Sequence, residues 1–274
     1  MHGVVLFMRV SRHNVPDTEK TKVFNKCGRI EFFYSPLSFF IGLGCCVKSF
    51  RFFLGQKMAA GRFHIAIEGN VGAGKSTLLQ GLDTILKSKG KSVVMLPEPV
   101  YEWTSFGSQK VNYLRKMYLN PEAFGMKFQV VATLTKIEQL TLNCPGSEIL
   151  LVERSLAAQK HVFLSALTEA KHISLEDGEI LDRLLEAVCQ IDFAIPDLTI
   201  YLRTSPEVAL GRVKLRARPE EEGLTLPDLC RLHRLHELWL FQSPRVLVVD
   251  ADRLENIRPQ TIFEDLLKKG KIHI

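Results

Sequence analysis

Gly69-Asn70-Val71-Gly72-Ala73-Gly74-Lys75-Ser76 matches the phosphate-binding loop pattern G-x-x-x-x-G-K-[ST] at every position. Its three glycines let the backbone curl around an anion with the N–H groups turned inward. In such a loop the lysine, here Lys75, reaches the β- and γ-phosphates of a nucleoside triphosphate, and the hydroxyl of Ser76 ligates Mg²⁺. The flanks agree with that reading. Phe63 to Ile67 is a short, mostly apolar run suited to a buried strand, and from Thr77 to Lys89 the residues Leu78, Leu79, Leu82 and Leu86 recur at helical spacing. The helix after the loop turns unsatisfied N–H groups and the positive end of its dipole toward the phosphates.

Outward from the loop, 274 residues with 46% hydrophobic content suffice for one sizeable core, and the expectation is one domain. The net charge of +6 is unevenly placed. Residues 1–57 carry nine Lys/Arg against three Asp/Glu, whereas the rest carries 27 of each sign. A basic face for nucleic acid is therefore not supported, and the charge that binds phosphate must be local. The same 57 residues hold nine of the 17 Phe, together with Cys27, Cys45 and Cys46. This sets a basic, Phe-rich extension, 1–57, apart from a domain at 58–274. The most apolar stretch of the extension, Leu37 to Val47, falls well short of the roughly 20 residues that span a bilayer, so no membrane span is expected. The extension reads as an organelle transit segment, as sequence upstream of a start at Met58, or as a structured addition; Asp17, Glu19 and Glu31 weigh against the first. The six cysteines show no paired spacing and suggest reduced thiols in an intracellular protein, mitochondrial or cytosolic.

Downstream, strands alternate with helices. Ser92 to Leu96 reads as a strand ended by Pro97-Glu98-Pro99, which puts Glu98 at a strand's carboxyl end, where ligands of open α/β sheets gather. On position alone Glu98 is either a ligand-facing carboxylate or a solvated loop acid, and Trp103 a packing residue. Asn120-Pro121 opens a long helix to about Leu142. On it, Gln129, Ala132 or Thr133, and Lys136 lie near Phe124 and Phe128, as core or as the wall of a planar ligand's pocket. Glu148 to Val152 is a third strand, stopping at Glu153-Arg154-Ser155, with Ser155 capping a helix to about Leu167 that carries Gln159 and Phe163 on one face. There Arg154 suits phosphoryl oxygens and Glu153 suits Mg²⁺ held through water, or the two form a structural ion pair. Ser174 starts a helix with the apolar stripe Ile180, Leu181, Leu184, Leu185, Val188 and Ile191. Leu198 to Leu202 is a fourth strand, and Ser205-Pro206 caps a helix bearing Arg212 and Arg216, with Arg218 and an acidic run following: a lid, or a solvated charged face. A helix from about Pro227 to Leu240, a strand from Arg245 to Val249 and a final helix after Pro259 complete the chain. The expected fold is an α/β, five-stranded parallel sheet with helices on both faces.

From about Phe63 to its C-terminus the chain resembles the deoxyribonucleoside kinase family, whose members serve deoxycytidine, deoxyguanosine or thymidine, or several of these in an insect form. The likeness rests on Ile67-Glu68-Gly69-Asn70 running into the loop, Glu98-Pro99-Val100 with Trp103, and Met117-Tyr118 before Asn120-Pro121. It extends through Phe128-Gln129, Glu153-Arg154-Ser155 and the segment from Arg212 through Glu221 to His233 and Trp239. The resemblance implies a P-loop kinase with an Arg-rich lid that moves the γ-phosphoryl of ATP, with Mg²⁺, onto the 5′-hydroxyl of a deoxyribonucleoside, in a homodimer. It implies Glu98 as general base with Arg154 beside it, and Gly69 to Thr77 with Arg212, Arg216 and Arg218 at the phosphates. Ser76 and Glu153 fall at the metal, Tyr118 and Glu221 at the 3′-hydroxyl, and Trp103, Phe128, Gln129 and Phe163 around the base.

Two positions depart from the family. Its cytosine- and purine-preferring members place Arg and Asp where this chain has Lys136 and Gln159, and its thymidine-preferring members place small or apolar residues there. Ala157 and Ala158 also suggest a roomier pocket. The preferred base therefore stays open, with a lean toward broad or pyrimidine use. The rival enzyme reading is a nucleoside monophosphate kinase, which needs a second phosphate site on its acceptor. A lapsed nucleotide-binding protein or a signalling GTPase is the remote alternative, and Asn25-Lys26-Cys27-Gly28 is no guanine-reading Asn-Lys-x-Asp.

Overall fold

In strand β1 (Phe63–Gly69) every residue after the first is buried, although successive side chains point to opposite faces. Such a strand needs cover on both sides, as a parallel sheet provides. The computed structural model describes residues 62–142, 147–190 and 195–272. The N-terminal extension and its boundary at Met58, and Ile191 of the apolar stripe, lie outside them.

There are five parallel strands, as expected, and they run in the order β2-β3-β1-β4-β5: β2 is Val93–Leu96, β3 Ile149–Glu153, β4 Leu198–Arg203 and β5 Val246–Asp250. On one face Ile65, Ile67, Ile149 and Leu151 pack with Leu78, Leu82 and Leu86 of helix α1 (Lys75–Ser88) and with Ile262 and Phe263 near the C-terminus. On the other, Leu150 and Val152 meet Ile137, Leu140, Leu156 and Val188. Pairing of Ile67 with Glu153, Gly69 with Leu202 and Leu96 with Val152 brings three strand ends to one edge. Glu98, Glu153-Arg154 and the phosphate loop therefore emerge side by side.

Two short helices, α2 (Val100–Thr104) and α3 (Tyr113–Leu119), lead into α4 (Pro121–Leu142) and were not anticipated. Neither is long enough to show a helical repeat; α3 starts where Asn112 Oδ1 accepts the Arg115 N–H. Asn120 caps α4 in the same way, through the Ala123 N–H. Helix α5 is composite: Leu156–Ala158, a π-helical stretch Gln159–Leu164, and Ser165–Glu169. The Ser165 hydroxyl donates to the Lys160 carbonyl five residues back, tying off the wide turn.

Helix α6 (Leu175–Cys189) divides its stripe: Leu181, Leu185 and Val188 are buried, while Ile180 and Leu184 are exposed, as are Val130 and Leu134 of α4, against which α6 packs. Helix α7 (Pro206–Arg216) is followed by a 3₁₀ turn at Pro219–Glu221, then α8 (Leu226–Leu240) and α9 (Pro259–Lys268). The Ser205 hydroxyl makes no capping bond; instead its N–H donates to Asp252. Among the described residues no helix is long and apolar enough to cross a membrane.

Candidate active site

Close packing explains the glycines of the phosphate loop. A Cβ on Gly72, which has φ +83°, would lie 2.5 Å from the Ala209 carbonyl of α7, and one on Gly69 2.7 Å from the Leu202 carbonyl. Asn70 shapes the loop from beneath: its amide donates to the Leu229 carbonyl and its Oδ1 accepts the Val71 N–H. Ala73 is core. Lys75 is buried at the start of α1, its Nζ donating to the Asn70 carbonyl, and Ser76 Oγ donates to Glu153 Oε1 at 2.9 Å. Those two oxygen donors suit a hard cation. Among the described residues no cluster of three or more His, Cys, Asp or Glu offers a complete metal cage. A divalent ion at Ser76 and Glu153 would take its remaining ligands from phosphates and water, as Mg²⁺ commonly does.

From the loop a cavity of about 1100 Å³ runs between α7 and α4. Midway along it stand Glu98 and Arg154, whose Nε donates to Glu98 Oε1 in a close ion pair. Burial pushes the Glu98 carboxyl up, but Arg154, Lys75 and Lys136 outweigh it and hold it below the ordinary carboxylate range. Burial works against the Arg154 charge, and Glu98, Glu68 and Glu153 overcome it. The guanidinium also donates to the Gly69 carbonyl and lies 4.7 Å from the centre of the Phe163 ring.

Beyond this pair the walls become aromatic and amide. Trp103 meets Phe128 edge to face at 5.4 Å and donates its indole N–H to Thr135. Gln129, Ala132, Gln159 and Phe163 line the same chamber, and Gln129 Oε1 is buried with no hydrogen-bond partner. Tyr118 closes the side toward Glu221; burial, with Glu221 and Glu98 adding, pushes its phenol up and keeps it neutral.

Several expected neighbours stand elsewhere. Lys136 does not line the cavity: it is buried behind it, Nζ donating to the Glu153 carbonyl at 2.8 Å. Burial lowers its pKa to about 8 against the pull of Glu98, Glu153 and Glu68. Thr133 bonds back to the Gln129 carbonyl, and Phe124 lies under the ammonium groups of Lys116 and Lys127. Neither Ala157 nor Ala158 lines the cavity, so the room expected from them is not there. The arginines split: Arg212 reaches the Asp252 carbonyl and keeps Nη1 without a partner, whereas Arg216 and Arg218 both donate to the buried carboxylate of Glu221, at 2.5 and 2.8 Å. Residues assigned to phosphate and to sugar thus form one ion cluster.

Near the loop the cavity is also lined by Leu215, Asp252, Leu254 and Ile257, which the sequence reading passed over. Leu215 and Leu254 are 87% and 66% exposed. Their signal was positional: Asp252 to Ile257 follow the carboxyl end of β5, the edge where ligands gather.

A phosphate loop, a serine–glutamate oxygen pair and an ionised carboxylate facing one cavity define a P-loop phosphotransferase. Residues 65–274 match the family model for deoxynucleoside kinase, and the chain belongs to that family. It is 32% identical over 196 residues to mitochondrial thymidine kinase 2 of Macaca fascicularis, covering 69% of this chain and 70% of that protein. To the deoxycytidine kinase of Mus musculus it is 32% identical over 219 residues, covering 72% and 82%. To that of Homo sapiens it is 30% identical over 237 residues, covering 76% and 89%.

Proposed function

We propose that the chain transfers the γ-phosphoryl group of ATP to the 5′-hydroxyl of a deoxyribonucleoside, with Mg²⁺ at Ser76 and Glu153. The observation that carries this reading is the position of Glu98. It is an ionised carboxylate between a triphosphate loop and an aromatic chamber with an unpartnered amide oxygen on Gln129. A hydroxyl brought there has a base for its proton, and Lys75, Arg212 and the α1 N-terminus oppose the charge on the transferring group. Mg²⁺, when bound with ATP, supplies further neutralisation of the phosphate oxygens. Tyr118 and Glu221 suit the 3′-hydroxyl, one as donor and the other as acceptor.

Base choice falls to two neutral amides, Gln129 and Gln159, since Lys136 is turned to the Glu153 carbonyl. An amide offers both donor and acceptor, so the reading favours broad use of deoxyribonucleosides over a single base. The apolar strip formed by Val130, Leu134, Ile180 and Leu184 supports a homodimer in which α4 and α6 meet their copies about a two-fold axis.

The test is acceptor choice: ATP, Mg²⁺ and each of the four deoxyribonucleosides or their 5′-monophosphates, with products separated by ion exchange. Formation of 5′-monophosphates from nucleosides supports the reading. Formation of diphosphates from monophosphates, with nucleosides left untouched, would establish a monophosphate kinase instead.

A further inference from the structure

Glu68 is a buried carboxylate beside the site to which the chemistry above gives no task. It is fully buried at the penultimate position of β1, and its Oε1 accepts the Ser155 N–H at 2.7 Å. The preceding residue, Arg154, sits at φ +60°, a left-handed conformation that is strained for a long side chain. Such a residue persists only where its surroundings over-determine it. Three consecutive residues of β1 do so. The Ile67 carbonyl accepts the Arg154 N–H at 3.1 Å, the Gly69 carbonyl accepts Nη1 at 2.9 Å, and Glu68 takes the N–H between strand end and helix. The two carbonyls are backbone; Glu68 is the only one of the three grips made by a side chain. Without it the Ser155 N–H would be buried and unpaired, and the turn would be free to relax.

We propose that Glu68 is a positioning residue that locks the Arg154-Ser155 turn, so that the Arg154 guanidinium rests on Phe163 and against Glu98 at the acceptor hydroxyl. The proposal rests on the phosphotransfer reading. It predicts that the accepting oxygen, and not the charge, is what the site needs.

Two variants separate these. Glu68→Gln keeps an oxygen at the same reach; Glu68→Asp keeps the carboxyl group and withdraws it by one methylene. In E68D the kcat should fall about 10²-fold, as for an ångström-scale misplacement, while E68Q stays within about fivefold of wild type and both KM values move less than about threefold. In an Arg154→Lys background E68D should cost less than about threefold, because Glu68 acts through Arg154. The Arg154 side-chain Nε–H resonance, identified by its loss in R154K, should persist in E68Q and disappear or broaden in E68D. That signal requires no turnover, so it reads the grip even if the wild-type protein phosphorylates no nucleoside, a result that would sink the functional reading alone. A kcat for E68Q as low as that of E68D, or an undiminished E68D effect in R154K, would overturn the proposal. Should E68D not fold, E68Q alone decides: activity and Nε–H signal retained support the grip, and their loss refutes it.

Discussion

Glu98→Gln is the substitution on which the reading of the site stands or falls. The change keeps shape and removes the base. Its cost follows from the surroundings of Glu98, where Arg154, Lys75 and Lys136 overcome the effect of burial and hold the carboxyl below its ordinary 4.5. Such a base is fully ionised at neutral pH but weak. Its contribution should therefore lie in the lower half of the usual 10²- to 10⁴-fold range, about 10²- to 10³-fold in kcat, or roughly 3–4 kcal/mol of barrier. Folding should survive, because Arg154 keeps Glu68 and Glu153 as counter-charges and its bond to the Gly69 carbonyl. The KM for ATP should hardly change, since Glu98 makes no bond to the phosphate loop among the described residues.

The assay is steady-state kcat at saturating ATP and nucleoside, repeated across pH. Proton uptake by Glu98 is half complete at its lowered folded-state pKa, so the midpoint of the wild-type acid limb should lie below pH 4.5, and E98Q should lack that limb. A kcat for E98Q near the wild-type value, or an acid limb unchanged by the substitution, would refute the assignment of Glu98 as base.

Three further outcomes are expected. Discrimination among bases should be shallow, with kcat/KM for deoxycytidine and thymidine within about 10²-fold; a preference beyond about 10⁴-fold would mean that Gln159 and Gln129 form a strict reader. Light scattering at micromolar concentration should give twice the 31.1 kDa chain mass, and Leu184→Glu, on the exposed strip, should shift it to the monomer value; a wild-type mass near the chain value would sink the dimer. Finally, burial lowers His64 to about 4 and His236 well below 6.5, so both stay neutral in the fold while an unfolded chain would protonate them. Their depressed folded pKa means stability is fully present above about pH 6.5 and declines as pH falls toward 4, by about 3 kcal/mol from His64 alone. Thermal melts should track this, and a midpoint that is flat across that window would contradict it.

What the sequence made legible is what sits where strands end. The phosphate loop, Glu98 and Glu153-Arg154 each directly follow an apolar run, and a parallel sheet carries all such ends to one edge, so adjacency in the chain becomes adjacency in space. Residues in the middle of helices lack that shortcut. Periodicity correctly puts Lys136 on the Gln129 side of α4, since seven residues fall about 20° short of two full turns. It says nothing of the rise, about 10 Å over those seven residues, which carries Lys136 past the chamber to the end of β3, where the Glu153 carbonyl accepts its hydrogen bond. The π-helical stretch from Gln159 to Leu164 is a matter of backbone register that no apolar spacing encodes. The Glu221 cluster joins α7 to the turn after it, and the left-handed Ala217 between them, φ +51°, is what turns Arg218 back toward the same carboxylate as Arg216. The groups proposed to move phosphate are thus placed by topology, and those proposed to read the base by register and tilt within α4 and α5. A substitution within α5 such as that at Gln159 can therefore reshape the chamber wall while the strand ends, and what they carry, keep their places.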